Sequence, residues 1–68
     1  MPIEIIVNGE NRKVPEGETV LGLLESMGLD PGRVAVELDL QIVKQARWPT
    51  TVLHPGARLE IVQFVGGG

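Results

Sequence analysis

A chain of 68 residues has room for one small domain and excludes a second domain, a repeat array or a catalytic cleft between lobes. Hydrophobic residues at 43% and charged residues at 22% exclude a disordered chain, and a formal net charge of −3 argues against nucleic acid and against an anionic membrane as partners. With no cysteine and one histidine, disulfides, thiolate chemistry and a multi-histidine metal site are excluded. The apolar runs are too short for a transmembrane helix. The opening Met1-Pro2-Ile3-Glu4 lacks the basic segment and apolar core of a signal peptide, so the expected compartment is the cytoplasm.

Ile3, Ile5 and Val7 alternate with Glu4, Ile6 and Asn8, a period of two in a β-branched segment, which predicts a strand. Asn8-Gly9 follows as a hairpin turn, since both residues tolerate positive φ, and the return strand runs from Asn11 to Val14 before Pro15 stops it. Thr19 is placed to cap a helix, with Glu16 and Glu18 just before it where negative charge suits the helix dipole. Val20, Leu23, Leu24 and Met27 make one helical stripe, and Gly28 ends it. Gly22 costs about 1 kcal/mol inside that helix, faces away from the stripe and has no evident reason in the sequence.

After the turn Asp30-Pro31-Gly32, Val34, Val36 and Leu38 alternate as a third strand, and Ile42-Val43 reads as a short fourth. Gln45 to Trp48 forms a helical turn ended by Pro49, Thr50 to Leu53 is ambiguous, and His54-Pro55-Gly56 is a turn. Arg58 to Val65 is the last strand, with Leu59 and Ile61 on one face and Glu60, Val62 and Phe64 on the other. The order β-β-α-β-β-β implies an α+β domain with a mixed sheet and one helix packed across one face, the β-grasp architecture of ubiquitin. That domain is assigned to residues 1–65 and a flexible glycine tail to residues 66–68.

Gly66-Gly67-Gly68 contributes nothing to a core. At average glycine usage such a run at a chosen position arises in roughly three chains in ten thousand, so it asks for a reason. Frayed termini are one reason. The other is a slim arm whose carboxylate enters another protein through a channel too narrow for side chains. A carboxylate is a poor electrophile until it attacks the α-phosphate of ATP and becomes an acyl-adenylate, from which a nucleophile displaces AMP. The partner enzyme then supplies positioning and charge stabilisation.

Several segments together resemble the ThiS family of sulfur carriers in thiamine biosynthesis. They are Ile3-Glu4-Ile5-Ile6-Val7-Asn8-Gly9-Glu10, Pro15-Glu16-Gly17-Glu18-Thr19-Val20 into Leu23-Leu24, Val34-Ala35-Val36-Glu37, Ile42-Val43, Arg47-Trp48, and Gly56 to Val62 running into Phe64-Val65-Gly66-Gly67-Gly68. The resemblance implies a carrier rather than an enzyme, with no catalytic residue, no metal and no cofactor of its own. It implies a ThiF-like adenylyltransferase that spends ATP on the terminal glycine, a persulfide-bearing sulfur donor, and a thiazole synthase that accepts the sulfur. By match to the motif, Gly68 carries the adenylate and then the thiocarboxylate, and Gly66 and Gly67 enter the partner's active site. Many relatives end in two glycines, so a last residue foreign to the native chain would shift the reactive position to Gly67. The free protein is expected to be a monomer.

Ile6, Val62 and Phe64 are expected to point away from the helix and to form one partner-binding patch near the tail root; partial burial under the loop from Gln45 to Leu53 is the alternative. Glu4, Glu37 and Glu60 face outward, as an acidic docking surface or simply for solubility. Trp48 is expected to cover a core edge, and His54 to be an exposed turn residue without a nearby carboxylate. The molybdopterin synthase small subunit, a ubiquitin-like modifier and a plain β-grasp interaction module are the competing functions.

Overall fold

A computed structural model describes residues 1–65. Asn8 and Gly9 both adopt positive φ, 51° and 83°, as a two-residue hairpin turn of the primed kind requires. The turn folds β1 (Ile3–Val7) back on β2 (Glu10–Val14). Thr19 then caps α1 (Val20–Ser26), its hydroxyl accepting from the Gly22 amide at 3.0 Å. Gly28 ends the helix at φ 72°. The Gly28 amide donates to the Glu25 carbonyl and the Leu29 amide to that of Leu24, so carbonyls left over at the helix end are satisfied. A 3₁₀ turn at Pro31–Arg33 leads into β3 (Val34–Leu38), β4 (Gln41–Ile42), a 3₁₀ helix at Gln45–Thr50 and β5 (Arg58–Gln63).

The strands form one sheet in the order β2-β1-β5-β3-β4. β5, last in sequence, is central in space: it runs parallel to β1 and antiparallel to β3. Val20, Leu23 and Leu24 of α1 are fully buried in one cluster with Ile5, Val36 and Leu59 from three strands. Burying each such side chain contributes about 1.5–3 kcal/mol. Trp48 closes the core edge from the second 3₁₀ helix, 3% exposed, with its indole N–H donating to the Val43 carbonyl at 2.8 Å. Among the described residues no helix is long and apolar enough to cross a membrane.

The α+β β-grasp class and the element order agree with the sequence reading, and the differences lie at boundaries. The fourth strand is Gln41–Ile42 rather than Ile42-Val43, although the Val43 amide still bonds the Val36 carbonyl at 2.9 Å. Pro49 lies inside its 3₁₀ helix rather than ending it, because only one N–H is lost and the next bond is made by side chains: the Thr51 hydroxyl donates to the Arg47 carbonyl. The ambiguous stretch is a strap on the helix start, with the Val20 amide bonded to the Thr51 carbonyl and the Leu53 amide to that of Glu18. β5 ends at Gln63, not Val65, since β3 begins at Val34 and its last partner is Gln63.

Candidate functional site

The end of β5 is fastened differently on its two sides. Toward β3 the ladder runs through Val34 opposite Gln63, and one more bond follows, from the Phe64 amide to the Arg33 carbonyl at 2.7 Å. Toward β1 the backbone pairing stops earlier. Ile6 lies opposite Arg58 and Val7 opposite Leu59, and the Asn8 amide donates to the Leu59 carbonyl before the chain turns away. The next residue of β5 on that side, Ile61, is held by a side chain instead. The Asn8 Oδ1 accepts from the Ile61 amide at 2.7 Å, and Nδ2 donates to the Ile61 carbonyl at 3.1 Å.

Beyond these attachments the surface is apolar. Val62 and Phe64 are each 57% exposed and Val65 is 94% exposed. Val62 lies opposite exposed Ala35, on the sheet face away from the helix. Ile6 is on that face too but is half-buried and pairs with Arg58. Four residues of strand separate Arg58 from Val62, roughly 13 Å. The expected single patch is therefore two sites: Val62 and Phe64 lie together near the end of β5, and Ile6 lies toward its start. Parallel pairing of the first and last strands puts them side by side but does not align these positions. Gly66, Gly67 and Gly68 lie outside the described residues.

Between the two apolar sites Glu37 and Glu60 stand directly opposite each other on neighbouring strands. Like charges in that position are destabilising, so the fold gains nothing from the pair. Glu4 is exposed on β1, opposite Lys13.

At the far end of β5 the lone histidine has a carboxylate after all. His54 Nε2 lies 2.7 Å from Asp39 Oδ2, and Asp39 Oδ1 accepts from the Arg58 amide at 3.0 Å. The hydrogen bond from His54, then that from the Arg58 amide, holds the Asp39 carboxyl below its ordinary value. The hydrogen bond to Asp39, then that to the Pro55 carbonyl at 2.9 Å, raises the His54 imidazole above its own. Both ring nitrogens face acceptors, so the imidazolium satisfies both. Nothing local in the sequence links positions 39 and 54. The Asn8 clip was hidden for another reason: its turn chemistry already accounted for the residue. Among the described residues no three metal-ligating side chains gather.

A family model described as the ThiS family matches residues 5–68. Two curated proteins named thiazole synthase, from Paramagnetospirillum magneticum and Magnetococcus marinus, are 39% and 36% identical over 66 residues. The match takes in 97% of this chain but only 20% of each of those proteins, so the chain spans about a fifth of the length of the curated relatives it matches. The crystal structure of the thiamine biosynthesis protein ThiS from Geobacter metallireducens superposes with a TM-score of 0.83 at 28% identity, covering 97% of this chain and 100% of that one. A solution structure of a thiamine biosynthesis protein from the same organism gives 0.80 at 28% identity, covering 97% and 88%.

Proposed function

The chain belongs to the ThiS family, and on that premise we propose that it carries sulfur to thiazole formation and is acted on by enzymes rather than being one. The terminal carboxylate of Gly68 attacks the α-phosphate of ATP in the active site of a ThiF-like adenylyltransferase, and pyrophosphate leaves. The outer sulfur of a persulfide then attacks the acyl carbon and AMP leaves. A second thiol breaks the sulfur–sulfur bond, which releases the thiocarboxylate and a disulfide. Thiazole synthase takes the sulfur. Gly66 and Gly67 thread the partner's channel, while Val62 and Phe64 supply an apolar footing at its mouth and Glu37 and Glu60 meet basic groups of the partner.

The observation that carries this reading is the family match over residues 5–68, which takes in the glycine run as well as the domain. The likeness to thiazole synthases supports that enzyme as the sulfur acceptor and favours the thiazole branch over a molybdopterin synthase subunit. Intact-mass spectrometry tests it. Incubation with the adenylyltransferase, ATP and a persulfide donor should exchange one oxygen for sulfur at the terminus. A terminus that stays unmodified while the same enzymes charge a known ThiS overturns the reading.

A further inference from the structure

We infer that Asn8 is a positioning residue for the reaction at the tail: its side-chain amide stands in for a missing strand residue and fixes the heading with which the chain leaves the sheet. The inference rests on the carrier reading above.

The argument starts from the backbone groups of β5. Alternate residues offer their N–H and C=O to opposite neighbours. Phe64 bonds to β3's side through Arg33, while Leu59 and Ile61 face β1's side. β1 ends at Val7 because Asn8 and Gly9 must reverse the chain. Without a substitute, the Ile61 amide and carbonyl would meet no strand, and β5 would be held on one side only from Leu59 onward. Asn8 supplies both missing groups from one side chain, an acceptor at 2.7 Å and a donor at 3.1 Å, across 53 positions of sequence. Only a primary amide has a donor and an acceptor side by side in this way. A carboxylate at position 8 would keep the acceptor and set its other oxygen against the Ile61 carbonyl. Glycine would remove both partners.

Among the described residues, Ile61 is the last fastened on that side and Phe64 the last on the other. The pair defines a line from which Val65 leaves. A tail that must enter a narrow active site reaches it more often when its starting direction is set in advance, because less conformational freedom is lost on binding. The same two attachments hold Val62 and Phe64 on one face at the tail root.

Position 8 also allows a clean test, because its φ of 51° suits asparagine, aspartate and glycine alike. Asn8→Gly therefore keeps the turn and removes both bonds of the clip, Asn8→Asp keeps the turn and the acceptor and loses only the donor, and the aspartate variant serves if the glycine variant does not fold. A destabilised core variant, Leu23→Val, controls for stability. All are compared as the 68-residue chain, at a temperature where circular dichroism shows each folded. Hydrogen exchange at the Ile61 amide should speed up about tenfold in Asn8→Gly, which removes its acceptor, and change less in Asn8→Asp, which keeps one. In adenylation assays followed by pyrophosphate release, KM for the carrier should rise about fivefold with kcat held, as loss of preorganisation predicts. Leu23→Val should leave KM unchanged. An unchanged KM in a folded clip variant, or an equal rise in Leu23→Val, overturns the inference. Failure of the wild-type chain to be adenylated at all overturns instead the carrier reading on which the inference stands.

Discussion

His54 and Asp39 are joined by a 2.7 Å hydrogen bond that ties the β3–β4 turn to the entry of β5, although 15 positions separate them. Asp39 also receives the Arg58 amide, so its carboxylate serves both segments at once. The pH dependence of stability follows from the two shifts. His54 is raised above 6.5, so its contribution is full below that value and is lost as pH rises through the folded value. Asp39 is lowered below 3.8, so its contribution is full above that value and is lost as pH falls through the folded value. The two coincide between about pH 4 and pH 6.5. Tm of the wild type should exceed that of His54→Gln most within this window, and the gap should narrow on either side and with added salt. Parallel Tm profiles across the range would remove the pair from the stability account.

Phe64→Ala should separate folding from recognition. The side chain is 57% exposed and outside the buried cluster, so thermal unfolding should shift little, within about 0.5 kcal/mol. Adenylation by the partner enzyme should weaken through KM. Wild-type turnover by this variant would exclude the apolar footing from the interface.

Leu40 occupies the left-handed region at φ 71° and is 86% exposed, beside Asp39 at φ 50°. A leucine gains nothing from that conformation, and asparagine is several-fold commoner there. Leu40→Asn should stabilise the domain by about 1 kcal/mol, read from urea unfolding. A loss of stability would mean that the exposed leucine makes a contact the fold needs.

Gly22 has an explanation that the helical pattern did not offer. A Cβ there would overlap the carboxylate of Glu18, which folds over the first turn and accepts from the Thr19 amide at 3.2 Å. Gly22→Ala gains helix propensity and must push Glu18 aside, so its benefit in the wild type should be small. In a Glu18→Ala background the same change should stabilise by about 1 kcal/mol. Equal effects in both backgrounds would show that the two positions do not communicate.

The elements were legible because local rules governed them. Period-two alternation marked β1, β3 and β5, the Asn8-Gly9 pair marked the hairpin, and Thr19 with Gly28 bracketed the helix. What stayed hidden depended on register and on side chains meeting across long separations. The alternation of β5 says which face Val62 occupies, but only the pairing of Ile6 with Arg58 says that Ile6 is far from it. Asn8 had a sufficient local role, so its second role toward Ile61 left no trace in the pattern. His54 and Asp39 lie on different loops, brought together only when β3 and β5 pair.

The placement of β5 has a consequence for biosynthesis. Of the five strands of this sheet, the last to leave the ribosome fills the middle, between β1 and β3. A polypeptide halted before Arg58 lacks the strand that pairs with both β1 and β3 and shows two unpaired edges, a state open to aggregation and degradation. The segment leading to the glycines is thus the one that completes the sheet, and a chain that stops short of it is marked by open strand edges.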